Sequence, residues 1–560
     1  MATMEEWVDW ARWQTQEHTV ATAVTIIFFV VNALIVIWWH HPLYGKNVGP
    51  TVYPIVGSLP SFIKNSHRTL DYITEELRKT PTQTMRFVRP GGHIIYNTAN
   101  VENVEHVLKT RFENYPKGDF MGELLGDFLG KGIFNVDGDL WKLQRKLASH
   151  EFTSRSLREF GFECSEKELE DRLVPILFQA CEKGDVVDLE DLFLRFSFDN
   201  ICQLGFGVDP NCLDSSLPTV RFAQAFDKAT ENTVLRFRML PFTMTFKKFF
   251  NLSPERELKE AVAVVNEFAE GVIQARRKEI HESQGNAIDA RQDLLSRFMR
   301  FTDSSEQDEV VQSELEQKCM NDLKLNATEP KVKERASDVF LRDIVISFVL
   351  AGRDTSSVGL AWFFHALSHN PHVEAKIYDE IKLHLEARPE EDTPPSGRRG
   401  HLFSFEQLKQ LHYLHAAIHE SLRLFPPVPL DTKEAVRDDV FPDGTVIRGG
   451  ERITYNIYAM ARMETIWGPD CNEFKPGRWL KDGVFVPENS FKFATFQAGP
   501  RICLGKELAL IQMKLVASSL IYHFKFTAMQ MHPPKQWRSL VFRMTNGFPV
   551  TVHPRDHGSD

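Results

Sequence analysis

The sequence predicts a mainly α protein with a smaller β region, preceded by one N-terminal transmembrane helix. Apolar residues recur at helical spacing through most of the body. Short runs, HIIYNT at His93–Thr98 and TVIRGGERITYN at Thr445–Asn456, have the alternation and β-branched content of strands. Ahead of both, Val20–Trp39, VATAVTIIFFVVNALIVIWW, runs for twenty residues without a charge.

That run is long enough to cross a bilayer as one helix. Glu5, Glu6, Asp9 and Glu17 precede it against a single Arg12, whereas Lys46, Lys64 and Arg68 follow it. The positive-inside bias therefore makes residues 1–19 lumenal and keeps the body cytosolic. The acidic start and the length of the run distinguish it from a cleaved signal peptide. Residues 40–60 form a hinge, whose GPTVYPIVGSLP at Gly49–Pro60 is stiffened by proline and glycine. No second run of comparable length follows, so one span and a body resting on the bilayer are expected.

Residues 61–560 read as a single domain, because no long Gly/Ser- or Pro-rich linker divides them. With 42% hydrophobic and 25% charged residues the chain has ample material for a core, which excludes general disorder. Its 66 basic and 76 acidic side chains are mixed along the sequence, with a net charge of -10, which excludes the basic stripe that nucleic acid needs. Seven cysteines, odd in number, widely spaced and without a CxxC pair, argue against a disulfide framework or a zinc site.

Along the body, Tyr115–Phe134 mixes Phe120, Met121, Leu124, Leu125, Phe128 and Leu129 with glycines, as suits a lid loop over an apolar channel, the alternative being a packed surface helix. Trp141 and Arg145 lie four apart on one helical face. Two polar segments, Thr302–Ser337 and Arg388–His401, read as exposed loops. In LRDIVISFVLAGRDTSSVGLAWFFHALSHNP, Leu341, Ile344, Val345, Phe348, Val349 and Gly352 follow one helical face. Gly352 interrupts that face where a packing helix would carry Ala or Leu, so it admits a close neighbour or a local distortion. Glu420 and Arg423 stand three apart among apolar residues, as a surface pair or as a buried pair that needs a third member, for which Arg478 in FKPGRW is the candidate.

The stretch FQAGPRICLG, Phe496–Gly505, sets Cys503 at or just before the start of a helix, where free N–H groups favour a thiolate. Gly499 and Gly505 let the backbone approach a flat object, and Arg501 is placed to bind a carboxylate of that object. Here the chain resembles the cytochrome P450 family of haem-thiolate monooxygenases. Phe496, Gly499, Arg501, Cys503 and Gly505 meet its F-x-x-G-x-R-x-C-x-G signature in full. Ala351–Thr355, Glu420–Arg423 and Pro476–Trp479 stand in the order of the family's other landmarks, with Trp479 in place of the usual Phe.

The resemblance implies the P450 fold and haem b, with Cys503 as the proximal iron ligand. Trp141, Arg145 and Arg501 would hold a haem propionate. Thr355 and Asp354 would be the catalytic pair that hydrogen-bonds oxygen and water and relays protons, and Glu420, Arg423 and Arg478 a structural ion-pair set. Oxygen and NADPH-derived electrons are the implied co-substrates. The chain lacks a G-x-G-x-x-G after a strand, so the electrons require a separate NADPH-dependent cytochrome P450 reductase. The implied location is the endoplasmic reticulum membrane.

Three stretches, residues 114–152, 348–371 and 458–479, resemble the plant fatty-acid ω-hydroxylase branch, which implies terminal oxidation of long-chain fatty acids. Wax alkanes or another lipophilic substrate are the alternative. A haem-thiolate isomerase or dehydratase, or a non-catalytic haem sensor, fits less well with the retained Asp354 and Thr355. No arginine or lysine is identifiable as a carboxylate anchor.

Overall fold

The computed structural model describes residues 4, 22–34, 48–153, 155–237, 239, 241–282, 293–303, 314–325, 329–387, 402–529 and 539–555. Near the N-terminus an exposed apolar helix, Thr22–Leu34, occupies part of the predicted span. At 1.5 Å per residue it is about 20 Å long, short of the roughly 30 Å of a hydrocarbon core. The remainder of the span and the start of the hinge lie outside the described residues, so the transmembrane helix is represented only by this shorter piece. A second helical run, Lys331–Ser368, is also long and apolar enough to span, but 78% of its most apolar window is buried inside the protein, so it serves as core.

The β region is a four-stranded sheet and, among the described residues, three smaller sheets, which include β3 (Val186–Asp188) and the pair β5 (Asp439–Val440) and β6 (Val446–Ile447). Strand β1 (Thr84–Val88) runs antiparallel to β2 (Ile94–Thr98), and β2 runs parallel to β7 (Arg452–Tyr455). Strand β4 (Asp431–Glu434) closes the sheet antiparallel to β7. The predicted HIIYNT strand is thus β2. The Thr445–Asn456 stretch divides into the short β6 (Val446–Ile447) and β7, with a turn through Gly450 at φ 82°.

Helices make up the rest. In chain order the ones that matter here are α1 (Gly118–Leu129), α2 (Gly138–Thr153), α3 (Arg155–Glu168), α4 (Leu189–Phe206), α5 (Arg221–Arg236), α6 (Pro241–Phe249) and α7 (Glu255–Glu282). They are followed by α8 (Leu294–Asp303), α9 (Glu314–Asp322), α10 (Pro330–Val349), α11 (Thr355–Ser368), α12 (His412–Leu424) and α13 (Lys506–His523). Local chemistry sets the ends of α4: the Asp188 carboxylate accepts from the N–H groups of Glu190 and Asp191, and Gly207 closes it at φ 64°. Helices α4, α11, α12 and α13 are apolar on several sides and share one core through Phe193, Phe196, Val358, Phe363, Ile418 and Leu520.

Two expectations change. Tyr115–Phe134 is largely the packed helix α1 rather than a loop. Met121, Leu124, Leu125, Phe128 and Leu129 repeat at helical spacing and are buried, and Leu125, Phe128 and Leu129 join the core formed with α5 and α10. The polar Thr302–Ser337 segment is not an exposed loop where it is described. Thr302 is buried in α8, α9 buries Cys319 and Met320, and α10 starts at Pro330. Its charges hide the spacing of the few apolar residues that dock. Residues 304–313 and 326–328 of that segment, and all of 388–401, lie outside the described residues.

Candidate haem-thiolate site

A cavity of about 330 Å³ opens between α2, α3, α4, the α10–α11 junction, the loop before β4 and the start of α13. Cys503 is on its wall. The loop that carries the cysteine is fixed by its own backbone: Cys503 N donates to the Phe496 carbonyl at 2.8 Å, and Ile502 N to that of Gly499 at 3.1 Å. Gly499 has φ 65°, and a Cβ there would stand 2.0 Å from the Leu108 carbonyl oxygen. Its requirement is therefore the neighbouring backbone rather than a flat ligand. Gly505, together with Phe496, borders the cavity. Cys503 is exposed at its thiol, which opens onto the cavity, although the protein encloses the site closely on all other sides. Burial pushes the thiol up, against the lowering effect of the Gly505 N–H and then of Arg145 and Lys506. The helix start expected to favour a thiolate is the weaker influence in the protein alone, and a metal cation is the group that would reverse the balance.

One end of the cavity is cationic. Arg501 lies over the Trp141 ring at 4.4 Å and donates to Asp137 Oδ1 at 2.5 Å and to the Val136 carbonyl at 3.1 Å. Arg145 also lines the cavity and, among the described residues, has no carboxylate or carbonyl within hydrogen-bonding distance. Sequence reasoning missed four charged members of this end: Lys117, Asp137, Asp431 and Lys433. Asp431 sits between Lys117 Nζ at 2.7 Å and Lys433 Nζ at 3.2 Å and accepts from Tyr455 Oη at 2.8 Å. Burial would raise its carboxyl, but the two ammonium groups hold it far below the usual range. Burial also lowers Lys433 to about 7, partly countered by Asp431. The available signal was the DTKE stretch after PPVPL: opposite charges two apart in a strand share one face, beside the apolar Ile453 and Tyr455 of β7. Arg145, Arg501, Lys117 and, when protonated, Lys433 face the carboxylates of Asp137 and Asp431, so up to two positive charges are left for a ligand.

Elsewhere on the wall, α10 passes into α11 through one π-helical turn, Leu350–Asp354. Ala351, Gly352 and Thr355 face the cavity, and Thr355 Oγ1 donates to the Ala351 carbonyl at 2.7 Å. Gly352 meets Ile201 of α4, whose Cγ1 would be 2.5 Å from an added Cβ. Asp354 is not among the lining residues. It is buried in a cluster in which Arg353 Nη1 reaches Asp354 at 3.0 Å and Asp227 at 2.9 Å, and Arg543 Nη1 reaches Asp227 at 2.9 Å. Burial raises the Asp354 carboxyl, opposed by Arg353.

Glu420, Arg423 and Arg478 come together away from the cavity. Glu420 accepts from Arg423 Nε and Nη2 at 2.8 Å each, Arg478 Nε at 2.8 Å, Trp479 Nε1 at 2.9 Å and Lys475 N at 2.9 Å. Burial alone would raise its carboxyl, yet the Arg423 bonds and then Arg478 bring it below the ordinary range. The set connects to the cysteine loop through Thr495 Oγ1, which donates to the Leu422 carbonyl at 3.2 Å.

A thiol, a helical hydroxyl and two uncompensated cations around one largely apolar cavity fit a flat metal macrocycle that bears two carboxylates. These are the requirements of a haem-thiolate protein. The chain belongs to the cytochrome P450 family, whose profile, described as Cytochrome P450, matches residues 48–549. It is 39% identical over 516 residues to cytochrome P450 94A1 of Vicia sativa, covering 90% of this chain and 91% of that one. It is 42% identical over 502 residues to cytochrome P450 CYP94D108 of Paris polyphylla (89% and 90% covered), and 38% identical over 531 residues to cytochrome P450 86B1 of Arabidopsis thaliana (94% and 90%). The protein is therefore a cytochrome P450 monooxygenase, a class that uses haem-thiolate iron, oxygen, electrons from a redox partner and a lipophilic substrate.

Proposed function

We propose that this P450 hydroxylates the terminal carbon of long-chain fatty acids. The observation that carries the reading is the likeness of residues 114–152, 348–371 and 458–479 to the plant ω-hydroxylase branch, since the first two stretches supply Phe134, Trp141, Arg145, Phe348, Gly352 and Thr355 to the cavity wall. Cys503 is the iron ligand. Arg145, Arg501 and Lys433 hold the two carboxylates of haem b, with Trp141 packed under Arg501 and Lys117 balanced by Asp431. Bound there, the haem supplies oxygen activation and insertion of one oxygen atom into a C–H bond. Thr355 would hydrogen-bond water and oxygen at the cavity wall, and Asp354, held by Arg353 behind that wall, would relay protons to it.

Electrons come from NADPH through a separate cytochrome P450 reductase. The exposed apolar helix Thr22–Leu34 and the charge bias of its flanks support a single-pass anchor in the endoplasmic reticulum, with 61–560 as one cytosolic domain. The test is turnover in microsomes containing the reductase, using fatty acids and alkanes of graded length. Terminal hydroxy acids are expected, and oxidation of alkanes but not acids would replace the substrate assignment. Cys503→Ala should abolish the thiolate-type spectrum of the reduced carbon monoxide complex. A histidine-type spectrum in the unmodified protein would overturn the ligand assignment.

A further inference from the structure

We propose that Arg89 and Arg452 form the site that holds the substrate's carboxylate, a proposal that rests on the fatty-acid reading above. Arg452 lies in β7, in register with Glu434 of β4 and Ile95 of β2. Its neighbour Glu434 packs under the start of α1, where a Cβ on Gly118 would lie 2.6 Å from the Glu434 Cβ. The Arg452 guanidinium carbon stands 3.4 Å from the centroid of Phe120 in α1, and that of Arg89 stands 5.9 Å from the same ring. Two guanidinium groups thus converge on one aromatic ring.

Their counter-charge is thin. Arg89 Nη2 donates to two carbonyls, Phe237 at 3.4 Å and Met239 at 3.1 Å, and no carboxylate pairs with it among the described residues. Arg452 Nε forms a long ion pair with Glu434 at 3.7 Å and makes no hydrogen bond, so one paired carboxylate faces two guanidinium groups. Burial lowers both guanidinium groups. On Arg452, repulsion from Arg89 adds to this, against Glu434 and the more distant Glu123. Two half-buried like charges beside an apolar ring are costly unless an anion joins them, and a carboxylate suits the planar donors of arginine.

The location suits a fatty acid. Phe120 is three residues beyond Lys117, which lines the haem cavity, while neither arginine lines that cavity itself. The carbonyls that hold Arg89 belong to the segment entering α6, where Phe242, Phe246 and Phe249 are exposed as an apolar surface beside the site. The cavity's own cations, Arg145, Arg501 and Lys433, are assigned to the haem. A carboxylate held at Arg89 and Arg452 leaves only the far end of the chain to reach the Cys503 side, which offsets the greater strength of a methyl C–H bond by positioning.

The experiment uses the full-length holoenzyme with reductase and the variants Arg452→Gln, Arg452→Lys and Arg89→Gln, each first shown to form the thiolate-type carbon monoxide complex. Binding of hexadecanoic acid and of hexadecan-1-ol is read from the substrate-induced change in haem absorption, and products are assigned by position. Loss of a charge-assisted hydrogen bond should weaken the acid about tenfold or more in either Gln variant, leave the alcohol within about twofold and spread oxidation inward, with Arg452→Lys recovering part of the acid preference. Equal losses for acid and alcohol would assign the arginines to packing and overturn the proposal. Acid turnover unchanged by the variants would overturn it while leaving the fatty-acid reading intact. Failure of the unmodified enzyme to bind or oxidise the acid would overturn both.

Discussion

Glu420 shows how much one buried carboxylate can organise. It is fully buried, as is Arg423, whose remaining donors are taken by the carbonyls of Ala461, Cys471 at 2.7 Å and Glu473 at 3.1 Å. Removing the acid strands a buried guanidinium, so Glu420→Ala should lower stability by about 3–5 kcal/mol and reduce haem content, read from urea midpoints and the absorbance ratio of haem to protein. Trp479 adds an indole N–H that phenylalanine lacks, which gives a physical reason for the departure from the family's usual residue. Trp479→Phe should cost about 1.5–3 kcal/mol by the same urea titration, because the lost bond has a charged acceptor. At this scale the spacing of Glu420, Arg423 and Arg478 was readable, because helix geometry alone makes i and i+3 neighbours. For Lys433 the sequence carried only half the signal: alternation puts it on the face of Asp431, but which face turns inward depends on the strand that pairs with β4.

The junction of α10 and α11 is the element on which the proposed oxygen-side chemistry rests. Its π-helical turn brings Ala351, Gly352 and Thr355 to the cavity, while Arg353 and Asp354 turn into the ion cluster. Gly352→Ala would drive a methyl group into Ile201, including its Cβ at 2.8 Å, so α4 and α11 must separate. The expected cost is about 1–3 kcal/mol, with partial rescue by Ile201→Ala, both measured as urea midpoints. Thr355→Ala should leave the fold intact and lower the ratio of product formed to NADPH consumed; an unchanged ratio would argue against its proposed role. Sequence reasoning read the helix and the oddity of Gly352. It did not separate Thr355 from Asp354, because one extra residue in a turn reassigns the faces of all that follow. Tyr115–Phe134 shows the converse: its helical period was present, but the glycines favoured a loop reading until burial against α5 and α10 overrode them.

Across the whole molecule, the C-terminal segment is tied into the helical core by buried charge. Glu190, at the start of α4, accepts from Met544 N at 3.0 Å, and burial raises its carboxyl to about 7, opposed by Arg543. With the folded value above the ordinary 4.5, the stability this group contributes is present below about pH 4.5 and is lost as pH rises to about 7. Unmodified protein should therefore lose up to about 3 kcal/mol relative to Glu190→Gln between those values and run parallel to it above pH 7, as compared in urea midpoints over a pH series. By itself the sequence determined the mainly helical class, the haem-thiolate signature around Cys503 and the apolar N-terminal run, because each is written in local spacing or composition. Only the tertiary structure decided that Lys117, Asp431 and Lys433 join Arg145 and Arg501, that Asp354 stands behind the cavity wall, and that Arg89 and Arg452 converge on Phe120. Those juxtapositions join residues tens to hundreds of positions apart, and they exist only once sheet register and helix packing bring distant chain segments together.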